Sequence, residues 1–77
     1  MTNTINYNLK RVKGCSQALV QHNGNYYVVS HSTRASQPET FIFKCDENGI
    51  ITDWVEVGGT KYAELDEVIA DMDEYLY

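Results

Sequence analysis

Gln17-Ala18-Leu19-Val20-Gln21-His22-Asn23-Gly24-Asn25-Tyr26-Tyr27-Val28-Val29-Ser30 reads as two strands folded back about their centre. Asn-Gly tolerates the positive φ angles that a type I′ turn demands at both central positions, and that turn matches the twist of the strands it joins. A two-residue turn at Asn23-Gly24 sets His22 opposite Asn25; Val20 then faces Tyr27 and Ala18 faces Val29, and these last two pairs share the face expected to be core. Gln21, Tyr26, Leu19, Val28, Gln17 and Ser30 share the other, more polar face.

Downstream, a second hairpin has the clearest short-range signal in the chain. Residues 39–45 and 50–57 are joined by Asp46-Glu47-Asn48-Gly49, where Asp can start a type I turn and Gly49 supplies the left-handed residue of a bulged three-residue loop. That register pairs Asp46 with Ile50 next to the turn; counting back, Cys45 meets Ile51, Phe43 meets Asp53 and Phe41 meets Val55, and these three pairs are expected to face the core with Asp53 as their one misfit. Lys44 with Thr52, Ile42 with Trp54 and Thr40 with Glu56 form the other face. Ile42 and Trp54 are thus expected together on an otherwise wet surface.

Upstream, Ile5, Tyr7 and Leu9 alternate with polar residues, which suggests a first strand ending near Lys13-Gly14. Residues 30–38 are small and polar with no period and read as a loop. Gly58-Gly59 is expected to break the second hairpin's last strand, after which Thr60 caps a helix running to Tyr75. Tyr62, Leu65, Val68, Ile69, Met72 and Leu76 fall on one stripe at helical spacing. The expected fold is α+β: a four- or five-stranded antiparallel β-meander with one C-terminal amphipathic helix packed on one face, in a single domain over residues 1–77.

At 77 residues there is room for one modest core, since small domains bury only about 60% of their unfolded surface. A deep, water-excluding active site would consume core that such a chain can hardly spare. Cys15 and Cys45 lack any CxxC or zinc-ligand spacing, and Met-Thr-Asn-Thr-Ile-Asn at the start has no apolar signal core, so both thiols are expected reduced in a cytoplasmic protein. No run approaches the roughly 18 apolar residues of a membrane-spanning helix, and no membrane partner is expected.

Charge is divided sharply along the chain. From residue 46 onward ten acids face the single base Lys61, nine net negatives, whereas before it Lys10, Arg11, Lys13, Arg34 and Lys44 against Glu39 leave four net positives, for a total of −5. Glu64, Glu67, Asp71 and Glu74 project from the helix side away from the apolar stripe, at spacings of three, four and three. On a continuous helix they would span roughly 15 Å, close to the charge density of a single nucleic-acid strand. Asp73 and Glu74 would sit at the negative end of that helix's dipole, a small cost. The plain account of such a ridge is a solvated face. The sharper one is a surface that meets a basic nucleic-acid-binding groove, where the partner's Lys and Arg relieve the repulsion.

Aromatic residues supply a second candidate. Trp54, Ile42 and Tyr26, with Tyr75 and Tyr77, offer large contact area on few rotatable bonds, as interfaces favour. Signals of catalysis are weak. His22 and His31 have no triad or metal spacing, and the turn beginning at Asp46 lacks the Gly and Glu of a calcium loop, Ile51 and Val57 standing at those places. Gly58-Gly59-Thr60-Lys61 lacks the first Gly of a phosphate loop. No catalytic residue, metal or cofactor is expected, and the acidic half opposes direct nucleic-acid binding by Lys10, Arg11 and Lys13.

The run Glu39-Thr40-Phe41-Ile42-Phe43, then Asp46 to Gly49, then Ile51-Thr52-Asp53-Trp54-Val55-Glu56-Val57 resembles short phage and prophage proteins. In size, acidity and sheet-plus-helix plan the chain is also similar to phage-encoded anti-CRISPR proteins, non-enzymatic inhibitors that often occupy nucleic-acid grooves and share no common motif. The resemblance implies a phage-derived inhibitor competing with nucleic acid for a basic groove on a host protein, a CRISPR effector among the candidates, in the cytoplasm of an infected bacterium. The alternative expectation is a structural or assembly module, or a homodimer, built on the Trp54 face.

Overall fold

The computed structural model describes residues 2–7, 15–32 and 39–77. Within them five antiparallel strands pair in chain order: β1 (Thr2–Asn6), β2 (Cys15–His22), β3 (Asn25–Ser32), β4 (Glu39–Cys45) and β5 (Glu56–Thr60). Two short helices follow, α1 (Leu65–Ala70) and α2 (Met72–Tyr75). The fold is the expected α+β meander, with the C-terminal helix divided in two.

The first hairpin forms as its turn chemistry dictates. Asn23 and Gly24 take φ of 51° and 83°, and the ladder pairs His22 with Asn25, Val20 with Tyr27 and Ala18 with Val29. Ala18, Val20 and Val29 are buried with Ile42, Ala63, Val68, Ile69 and Met72 in one cluster, so the helices cover this face. Leu19 and Val28, expected on a polar face, are buried too. They form a row with Phe43 across β2, β3 and β4 on the face opposite the helices. β3 also runs on through Ser30, His31 and Ser32, which were expected to open a loop. Residues 33–38, the rest of that loop, lie outside the described residues.

In the second hairpin the first strand, β4 at Glu39–Cys45, and the turn follow expectation, and the second strand does not. Asp46 Oδ1 accepts the N–H groups of Asn48 (2.8 Å) and Ile50 (2.9 Å), the Gly49 N–H donates to the Asp46 carbonyl (3.0 Å), and Gly49 has φ of 82°. Beyond Ile50 the ladder stops, and β5 begins only at Glu56, with Phe43 opposite Glu56 and Ile42 opposite Gly58 across a register shift. The expected pairings of Phe43 with Asp53 and Ile42 with Trp54 are therefore corrected, and so is the core face. Val29 faces the helices and pairs with Ile42, which forces Ile42 inward and Phe41 and Phe43 outward. Looping out residues 51–55 also keeps the Asp53 carboxylate in water, where a charge costs nothing to hold.

Gly58 and Gly59 lie inside β5 and do not end it. A Cβ on Gly58 would stand 2.4 Å from the Tyr75 carbonyl oxygen and 2.9 Å from Leu76 Cα, so only glycine lets the end of α2 lie against the strand. Gly58 and Leu76 form an antiparallel bridge there, and the Tyr77 N–H donates to the Val57 carbonyl (3.0 Å). The helix begins at Leu65, five residues past the expected cap. Thr60 ends β5, its hydroxyl 3.5 Å from the Tyr62 N–H, and Tyr62 is 73% exposed, off the stripe expected to hold it. Val68, Ile69 and Met72 are buried as counted, with Leu65 and Leu76 half-buried. Asp71, at φ −138° and ψ 50°, breaks the helix and donates its N–H to the Val68 carbonyl (3.2 Å).

The segment between β5 and α1 is pinned by Thr40. Its buried hydroxyl donates to the Ala63 carbonyl (2.8 Å) and, having one proton, accepts from His31 Nδ1 (2.8 Å), which fixes that ring's tautomer. β1 differs from its expected phase. Thr2 pairs with His22 and Thr4 with Val20, then a shift precedes Asn6 opposite Leu19, leaving Ile5 and Tyr7 exposed. Leu9 and Lys13-Gly14 lie outside the described residues. Among the described residues no helix is long and apolar enough to cross a membrane.

Candidate binding surfaces

Glu64, Glu67, Asp71 and Glu74 are all exposed, as are the other six acids from residue 46 onward. Glu64 stands at the cap position of α1 and Asp71 at the break, so the ridge follows a bent path rather than a straight helix face. The break also moves Asp73 and Glu74 to the first turn of α2, reversing the expected sign of their interaction with the helix dipole. Among the described residues, none of these carboxylates lies within 4.0 Å of a Lys or Arg, and Asp73 is instead hydrogen-bonded to the His22 ring.

That pair escaped sequence reasoning because its members are 51 residues apart. His22, 5% exposed, ends β2, and its Nε2 donates to Asp73 Oδ1 at 2.6 Å, with the Asn23 side-chain amide 3.2 Å from the same nitrogen. Nδ1 meets the Thr2 hydroxyl. Hydroxyl, imidazole and carboxylate thus join β1, β2 and α2, and hold the helix over the end of the sheet.

On the opposite face lies the Trp54 loop. Trp54 is 65% exposed and presents its ring to Phe43 edge to face, centroids 5.7 Å apart at 63°. Its φ of 52° is a conformation that bulky residues rarely hold and that excludes it from a strand. Ile50 and Val55 beside it are also exposed. Lys44, Cys45, Asp46, Ile50, Asp53 and Trp54 line a groove of about 330 Å³. Burial, and then the Asp46 charge, push the Cys45 thiol up to about 11.

The remaining aromatic candidates separate. Ile42 is 0% exposed and belongs to the core under the helices, so its expected place beside Trp54 on the surface is corrected. Tyr26, half-buried and paired with Gln21 and Cys45, shares the sheet face of Phe43 and Trp54. Tyr75 packs against the core, whereas Tyr77 is exposed and its hydroxyl donates to Glu56 Oε2 (2.6 Å), a bond that holds the phenol above its ordinary range. Among the described residues no group of three or more His, Cys, Asp or Glu side chains could hold a metal ion. No family model matches the chain, and neither a curated protein nor a solved structure matches it.

Proposed function

We propose that this chain is a non-enzymatic acidic binding protein that competes with nucleic acid for a basic groove on a partner protein. In kind it is a phage-derived inhibitor similar to anti-CRISPR proteins, acting in the cytoplasm of an infected bacterium. One observation carries the reading: ten exposed carboxylates follow residue 45, and none is neutralised by Lys or Arg among the described residues. Such a surface holds its charge for an outside partner, steers association with a basic one, and repels nucleic acid itself.

The test is reversal of charge on the helices. Glu67→Lys with Asp71→Lys is expected to abolish binding to the basic partner and to leave the fold intact, since both side chains are exposed. Wild-type affinity should also fall steeply between low and high salt. Normal binding by the double variant would return the acids to a solvated face. The exposure of Trp54 favours a second reading, an assembly module or homodimer centred on it. There, Trp54→Ala would be the damaging change, the Glu67→Lys, Asp71→Lys variant would bind normally and salt would have little effect.

A further inference from the structure

The geometry points to the Trp54 groove as a receptor for one arginine side chain of a basic partner protein, an inference that rests on the reading above for the partner's charge and adds a second contact on the other face of the sheet. Three features converge on that occupant. First, the size suits a side chain: about 330 Å³ lies at the bottom of the range for small-ligand sites, roughly 300 to 1,000 Å³. Second, the wall includes an indole that is 65% exposed and held by an edge-to-face contact with the Phe43 ring. A planar guanidinium stacks on such a face through the ring quadrupole, and an ammonium does so less well.

Third, the charges around the groove are Lys44, Asp46 and Asp53, an excess of one negative. A single guanidinium balances it. Asp46 is already fixed, because its Oδ1 accepts the N–H groups of Asn48 and Ile50, so the carboxylate need not be ordered on binding. A guanidinium on Trp54 can donate to a carboxylate in its own plane while its faces remain on the ring, a combination that suits Arg better than Lys. The groove lies on the sheet face opposite the acidic helices, so the two surfaces can be tested apart.

Trp54 is the single tryptophan of the chain, so one indole N–H resonance in a nitrogen-proton NMR spectrum reports on this groove alone. Hexa-arginine peptide is expected to shift that resonance in a saturable way, with hexa-lysine binding more weakly. Trp54→Leu and Asp53→Asn, each checked for native circular dichroism, are expected to weaken hexa-arginine binding by calorimetry, Trp54→Leu by about 2- to 30-fold. The Glu67→Lys, Asp71→Lys variant should still show the indole shift, which separates the groove from the helix ridge. Binding of hexa-arginine without an indole shift, and unaffected by Trp54→Leu, would overturn the groove and leave the acidic reading standing. No binding at low salt, or an indole resonance that moves with protein concentration alone because a second copy covers it, would also overturn it.

Discussion

A hydrogen is all that fits at Gly58. Its missing side chain is what allows the Tyr75 carbonyl and Leu76 to approach β5, so Gly58→Ala must move backbone rather than a flexible side-chain tip. The expected loss is about 1 to 3 kcal/mol, the usual range for overpacking, measured by urea denaturation. An unchanged midpoint would mean that the tail does not rest on β5. Cys45 makes a second test at this scale. Its thiol ordinarily titrates at 9.0 and is raised to about 11 in the fold, by burial first and the Asp46 charge second. The folded state therefore keeps a proton that the unfolded chain releases. This contribution to stability is fully present below pH 9.0 and is lost as pH rises toward 11. Alkylation of Cys45 at neutral pH should correspondingly run about 100-fold slower than that of an ordinary thiol, by thiolate fraction alone. Mass spectrometry of iodoacetamide-treated native and urea-unfolded protein checks it.

Among the elements, α1 and α2 depend on packing more than on their own chemistry. They have six and four residues, no side-chain cap and no base in the last turn, far below the roughly 12 to 15 residues at which an isolated helix is even marginal. Val68, fully buried at the centre of the contact, holds α1 on the sheet. Val68→Ala is expected to cost about 1 to 3 kcal/mol and to lower helical circular dichroism along with stability. A loss below about 0.5 kcal/mol would show that α1 is not docked. The hairpin at Asn23-Gly24 was legible from sequence because two residues set its turn and the turn sets its register. The phase of β4 was not, because Ile42 takes its side from Val29 of the preceding hairpin, across a connection without a turn signal. Gly58-Gly59 misled for a similar reason: Gly58 closely approaches Tyr75 and Leu76, and Gly59 approaches Thr40 and Phe41, all distant along the chain. Of the candidate sites, the exposed acids and Trp54 were readable from composition and residue type. The His22–Asp73 pair and the burial of Ile42 exist only once the strands are in place.

For the whole molecule, a net charge of −5 with the negatives gathered after residue 45 means that folding concentrates like charge. Self-repulsion of this kind weakens as salt screens it. The melting temperature is therefore expected to rise with sodium chloride, opposite in sign to the effect of salt on binding a basic partner. A melting temperature that falls with added salt would imply that attractive pairs dominate the fold.

A different consequence follows from the bridge between Gly58 and Leu76. Sheets that stack edge to edge into fibres need two open flanks on every unit, and natural proteins blunt such flanks in several ways. On the β5 side this chain folds its own tail over Val57 and Gly58, while β1 ends the strand order on the other side. Among the described residues, the flank left without such a cover is that of β1. Two copies paired there turn their covered flanks outward, so the meander carries a chain terminator that lets association stop at a pair.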